Sequence, residues 1–293
     1  MNVHEIIAEK KTICKKSQAQ QYTLWPCEET DIDTAHLMLI GETGKGKTTL
    51  INGILNFVLG INCHYVYRFC VPVNITRHNK RDIDSQTDKI TLYKIPHVEG
   101  IRNDKNLVLI DTPGLLDTEG IECQKQSLDQ INSFLANPTY KENMFIGIVA
   151  EANLTLNNNV RNLINLIEKI VQGLSNVKVI LIATFADAFE PKMFSLIKEY
   201  LKVKLEGQFK INNKILFSNF NVDDESEWRT WEKNMALLLQ EIQIFNKAPD
   251  SECSRARRDS VTSVSSSSTY LTTKSNMSHV KRQEKDMAEV FSK

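Results

Sequence analysis

The chain has 293 residues, 41% hydrophobic and 25% charged, which supplies enough apolar material for one large domain or two small ones. Lys+Arg and Asp+Glu both total 36, so the formal net charge of zero gives no case for a nucleic-acid binder held by bulk charge. No run approaches the roughly 18 apolar residues of a membrane span, the charged N-terminus does not read as a signal peptide, and the cysteines suit reduced thiols in a cytoplasmic protein.

In chain order, residues 1–33 are polar and mixed and read as an extension, with a short helix over residues 3–16. From His36 the pattern changes. "HLMLI" is a strand that stops at Gly41, and "TTLINGILNFVLG" is an amphipathic helix that stops at Gly60. Further strands are expected at "KITLYKI", "NLVLID", "MFIGIVA", "VKVILIATF" and "NKILFSNF". The most apolar of these suit strands buried on both faces. Helices are expected at "NVRNLINLIEKIVQGL", at "PKMFSLIKEYLKV" with Pro191 in its first turn, and at "ESEWRTWEKNMALLLQEIQIF". Alternating strands and helices predict an α/β fold with a mostly parallel central sheet and helices on both faces. Residues 34–247 form this domain. Residues 248–293 are rich in Ser and Thr and read as a disordered, unmodified solvated tail, with Arg255, Arg257 and Arg258 upstream of Ser260 as a basophilic-kinase motif on the alternative reading.

Between the first strand and its helix stands "GETGKGKT", which fits G-x-x-x-x-G-K-[ST]. Its glycines let successive backbone N–H groups turn toward an anion, and the helix behind adds a positive N-terminal dipole. The candidate nucleotide-binding residues are therefore Gly41, Glu42, Thr43, Gly44, Lys45, Gly46, Lys47, Thr48 and Thr49. Lys47 would reach the β- and γ-phosphates, and Thr48 would offer its hydroxyl to Mg²⁺. "NLVLIDTPG" ends a buried strand at Asp111, at the edge where α/β sheets bind ligands. Asp111 would hold Mg²⁺, through water, and Gly114 would bring its N–H to the γ-phosphate. The expected fold is thus a three-layer P-loop NTPase fold.

The phosphate loop, "DTPG" and the later "TFAD" stand in the order seen in translation-factor-class P-loop GTPases. With "TTLIN", "SQTDKITLY", "DTPGLLDTEGIE" and "LIATFADAFEP", the span from His36 to Phe245 resembles the septin-related and immunity-associated (AIG1-type) nucleotide-binding GTPases. The resemblance implies GTP and GDP as ligands, read by an [NT]-K-x-D segment. Here that segment is Thr184, Phe185, Ala186 and Asp187. The lysine is missing, and Phe185 would stack on the purine in its place. Asp187 would accept from two guanine donors that adenine lacks, which disfavours the ATPase alternative. Ser218 stands where a second base-contacting loop is expected, with a capped turn as the other reading.

Many GTPases orient the attacking water with a glutamine after D-x-x-G. Leu115 and Leu116 cannot do so, which predicts slow hydrolysis or a group supplied from elsewhere. The resemblance implies a homodimer through the nucleotide face as one such source. A scaffold with negligible turnover is the alternative. Thr87 is expected to close on Mg²⁺, with Thr76 as its rival. Residues 61–88 carry Arg68, Arg77, His78, Lys80 and Arg81, read as a solvated face with a catalytic arginine as the alternative.

Overall fold

The computed structural model describes residues 2–6, 8–14, 19–25, 32–72, 89–115, 121–137, 144–174, 177–186, 189–218 and 224–244. Its centre is four strands: β4 (Thr34–Ile40), β7 (Asn106–Asp111), β8 (Met144–Glu151) and β9 (Lys178–Thr184). All six residues of β7 are buried, as a strand covered on both faces requires. β4 lies between β7 and β8 and runs parallel to both, and β9 runs parallel to β8. β10 (Leu205–Ile211) adds a parallel edge beside β9. On the other side β6 (Thr91–Ile95) pairs antiparallel with β7.

Side chains alternate across this sheet. Met38, Ile40, Val108, Ile110, Ile146 and Ile148 belong to one apolar cluster. It also holds Ile131 and Phe134 of α2 (Ile121–Leu135), Leu163 and Ile167 of α3 (Asn158–Gln172), and Met193 and Ile197 of α4 (Lys192–Tyr200). Leu37, Leu39, Leu107 and Leu109 therefore face the opposite side. There α1 (Lys47–Val58) packs on β7, and α6 (Glu225–Glu241) packs on α1 and β10. Phe57 meets Trp231 edge-on at 6.3 Å, and the Trp231 indole donates to Asn213 Oδ1 at 2.9 Å. The architecture is the expected three-layer α/β fold with a mostly parallel sheet.

Two expectations are corrected. Residues 3–16 do not form a helix. They contribute β1 (Asn2–Glu5) and β2 (Ala8–Cys14). β2 pairs antiparallel with β3 (Ala19–Leu24), β3 runs parallel to β6, and β1 pairs with β5 (Tyr67–Cys70). The segment lacks an apolar helical stripe, and β5 and β3 supply the hydrogen bonds that make it strand. The sheet order becomes β10-β9-β8-β4-β7-β6-β3-β2. The strand expected at residues 213–220 is instead α5 (Lys214–Phe217), a single turn against α6. The strand lies earlier, at β10, whose half-buried side chains reflect an edge position and leave little apolar signature. The tail falls outside the described residues.

Arg68 is also corrected. It is 1% exposed, not solvated. Its Nε donates to the Leu216 carbonyl at 3.0 Å, and Nη1 donates to the carbonyls of Tyr65 and Tyr67 at 2.7 Å each. Its guanidinium lies 4.8 Å from the Trp228 ring centroid. This places it in the packing of α6 rather than in a catalytic position. Arg77 and the rest of that basic run lie outside the described residues.

A buried amide ties α1 to β5. Asn56 Nδ2 donates to the carbonyls of Asn52 at 2.8 Å and Phe69 at 2.7 Å, while Oδ1 accepts from Phe69 N at 2.9 Å. Asn56→Ala leaves both backbone groups of Phe69 without these bonds and is expected to cost about 1–3 kcal/mol. Urea unfolding will read this as a lower midpoint at unchanged slope. An unshifted midpoint would mean the bonds are not needed.

Candidate functional site

The loop between β4 and α1 turns through two left-handed glycines, Gly44 at φ 74° and Gly46 at φ 85°. Side chains with a Cβ rarely adopt this backbone, so the turn requires these residues. Gly46 is the N-cap of α1 and provides no side-chain cap, and the first turn has no acidic residue. The helix N-terminus thus keeps its positive end facing the loop. Lys47 is 6% exposed. Its Nζ donates back to the carbonyls of Gly41 at 3.1 Å and Glu42 at 2.9 Å, which fixes the ammonium across the loop. The Thr49 side chain is exposed.

Three distant segments converge on this loop. From β7, Asp111 Oδ2 accepts from Thr48 Oγ1 at 2.7 Å. From the turn after β7, Leu115 N donates to the Gly41 carbonyl at 3.1 Å, and Glu42 and Leu115 form a parallel bridge. Gly114 is pressed against the loop: a Cβ there would lie 1.8 Å from Thr43 Oγ1 and 2.7 Å from Thr43 N. Only glycine fits that approach. From the end of β9, Thr184 Oγ1 is placed to donate to the Lys45 carbonyl at 2.9 Å or the Ala150 carbonyl at 3.1 Å. Phe185 follows with φ 50°, rare for an aromatic residue, and is 55% exposed. Its ring edge lies 3.9 Å from where a Gly46 Cβ would stand.

Asp187, Thr87, Thr76 and Leu116 lie outside the described residues. Ser218 donates to Ile215 O at 3.3 Å and closes the α5 turn, as its capped-turn reading implies. The sequence reading missed Glu151 at the end of β8, whose carboxylate pairs with Lys45 at 3.1 Å. It also missed Thr112, which donates to Leu39 O at 2.7 Å and staples the segment after β7 to β4. A carboxylate at a strand end beside the phosphate loop is a signal that could have found Glu151.

No protein-family model matches the chain, and no curated protein matches its sequence. Among solved structures, it is similar to the signal recognition particle receptor SRb-GTP/SRX complex from Chaetomium thermophilum. That match has 18% identity and TM-score 0.38, over 70% of this chain and 99% of that one. It is also similar to the S. cerevisiae Ski7 GTPase-like domain, bound to GDP and inorganic phosphate. There the identity is 15% and the TM-score 0.40, over 66% of this chain and 45% of that one. Likenesses at this level carry no argument about activity.

Burial pushes the Glu42 carboxyl above its ordinary value, against the pull of Lys45. A raised carboxyl favours the folded state at low pH, and that contribution is lost as pH rises through the folded value. Glu42→Gln is therefore expected to melt higher than the wild type at pH 7, with the two converging by about pH 4. Thermal melts across pH check this. A gap that persists at low pH would mean Glu42 acts through packing rather than charge.

Proposed function

We propose that residues 34–247 bind a guanine nucleotide and act as a GTP-dependent switch with slow hydrolysis, of the septin-related or AIG1-type kind. The observation that carries this reading is the 2.7 Å hydrogen bond from Thr48 to Asp111, across 63 residues of sequence. It brings a phosphate-loop hydroxyl and a strand-end carboxylate together, as a magnesium-nucleotide site needs. The donors are hard oxygens, which fit Mg²⁺. Thr48 would ligate the ion, Asp111 would hold it through water, and Thr87 is the proposed third contributor. When bound, Mg²⁺ would neutralise phosphate charge. Among the described residues no group of three or more His, Cys, Asp or Glu forms a protein cage, so phosphate and water would complete the shell.

Lys47 and the N-terminus of α1 would hold the phosphates. Thr184 ties the base-reading turn to the loop, Phe185 offers a ring for the purine, and Asp187 would select guanine. Among the described residues no helix is long and apolar enough to cross a membrane. Leu115 is fully buried in the apolar cluster and cannot orient water. That favours a second reading, a nucleotide-stabilised assembly protein with negligible turnover, beside the proposed enzyme.

Lys47→Ala should weaken Mg²⁺-GTP by about a hundredfold, since hydrogen bonds to charged groups are worth roughly 1.5–3 kcal/mol each. Calorimetric titration is the check, and unchanged affinity would remove the phosphate-loop assignment. Asp187→Asn should shift preference from GTP toward xanthosine triphosphate, whose extra carbonyl accepts from the new amide. A wild type that prefers ATP in competition would overturn the guanine reading.

Turnover tests the switch. If a homodimer through the nucleotide face supplies the missing group, GTP hydrolysis per molecule should rise with protein concentration. Rates over a dilution series, with light scattering in GDP and in a non-hydrolysable GTP analogue, measure it. A fast, concentration-independent rate in a monomer would refute the shared site. Assembly without turnover would favour the scaffold.

A further inference from the structure

We propose that the Thr43 hydroxyl distinguishes a nucleoside triphosphate from a diphosphate in this site, by donating to the terminal phosphate. The inference rests on the nucleotide reading above and adds a residue with a specific task.

Apart from the exposed Thr49, four threonine hydroxyls lie around the phosphate loop, and three are satisfied within the protein. Thr48 donates to Asp111, Thr112 to the Leu39 carbonyl, and Thr184 to carbonyls of Lys45 and Ala150. The Thr43 hydroxyl is buried yet has no hydrogen-bond partner among the described residues. Buried hydroxyls are almost always bonded, because leaving one unmade costs its full desolvation. A fold that satisfies three hydroxyls and leaves the fourth is poised for an acceptor from outside.

The position of that hydroxyl identifies the acceptor. Thr43 Oγ1 lies in the seam between the phosphate loop and the D-x-x-G turn, against Gly114. The seam is held by the Leu115 N–H to the Gly41 carbonyl and by the Glu42–Leu115 bridge. On the nucleotide reading, a β-phosphate held by Lys47 and the start of α1 would end short of this turn. The γ-phosphate is the part of the ligand that reaches Gly114. Its oxygens are charged acceptors, the strongest partners available to a hydroxyl. Thr43 is thus a specificity residue, acting on the terminal phosphate and not on the base.

The test uses the full chain with Thr43→Val, which keeps the shape and removes the hydroxyl, and Thr43→Ser, which keeps the hydroxyl. Calorimetry measures affinity for GDP and a non-hydrolysable GTP analogue with Mg²⁺, and for the matching adenine pair. Thermal melts of the ligand-free proteins accompany them. The triphosphate-to-diphosphate affinity ratio is expected to fall about tenfold or more in Thr43→Val, with diphosphate binding within about twofold of wild type. Thr43→Ser should keep the wild-type ratio. Ligand-free Thr43→Val should melt at or above the wild-type temperature, because an unbonded buried hydroxyl has been replaced by a methyl group.

An unchanged ratio in Thr43→Val, or equal loss for both nucleotides, would overturn the proposal. So would a Thr43→Ser that behaves like Thr43→Val. A ligand-free Thr43→Val that melts lower would also overturn it, since the hydroxyl would then have a partner inside the protein. If only the adenine pair binds, the guanine reading falls while the ratio still decides Thr43. If wild type binds neither pair, both readings fall together.

Discussion

β4 sits between β7 and β8, parallel to both, and the candidate site follows from that placement. In a parallel sheet neighbouring strands end on the same edge. The register sets Leu39 beside Asp111, Ile40 beside Ile148, and Glu151 beside Thr184. The loop after β4, the carboxylate of β7 and the turn after β9 therefore emerge at one edge without any long-range design beyond the pairing itself. The sheet brings these residues together by hydrogen-bonded register, and the apolar layers on both faces hold the register in place.

Charge at this edge is managed locally. The chain as a whole is neutral, yet two lysines stand within three residues of one another in a tight loop. Lys47 is held by backbone carbonyls, whose dipoles stabilise an ammonium. Lys45 is turned toward Glu151 and Glu42, at 3.1 and 3.9 Å. One cation is held across the loop and the other is engaged at its side. The ion pairs of Lys45 are partly exposed and add little stability. Their effect is to orient its side chain.

What could be read from the sequence was what local spacing encodes. β4, the glycine loop and α1 are contiguous, so an apolar run, left-handed glycines and a helical stripe announce them in order. Asp111 was legible because it ends an uninterrupted apolar strand. The N-terminal strands were not, because β1 finds its partner in β5 and β3 in β6, both far along the chain. β10 was hidden by Gly207, Gln208 and its charged residues, which an edge strand tolerates and a central one does not. Arg68 looked like part of a basic surface run, and only the folded positions of Leu216 and Trp228 reveal why it is buried. The roles proposed for Asp187 and Thr87 rest on motif order alone.

The pairing of the first strands has a consequence for the order in which the molecule can be built. β1 finds its partner in β5, at Tyr67–Cys70, and β3 finds its partner in β6, at Thr91–Ile95. During synthesis β1 and β3 emerge before either partner exists. The β2–β3 hairpin is a local unit, but a lone two-stranded ribbon is marginal in water. Its buried residues Tyr22 and Leu24 gain the β6 side of their sheet only once β6 has been made. β6 itself needs β7 beside it to be more than an isolated strand. Strands β1 and β3 can thus pair only after β5 and β6 have been made, while the pairings of β4 with β7 and β8 do not involve them.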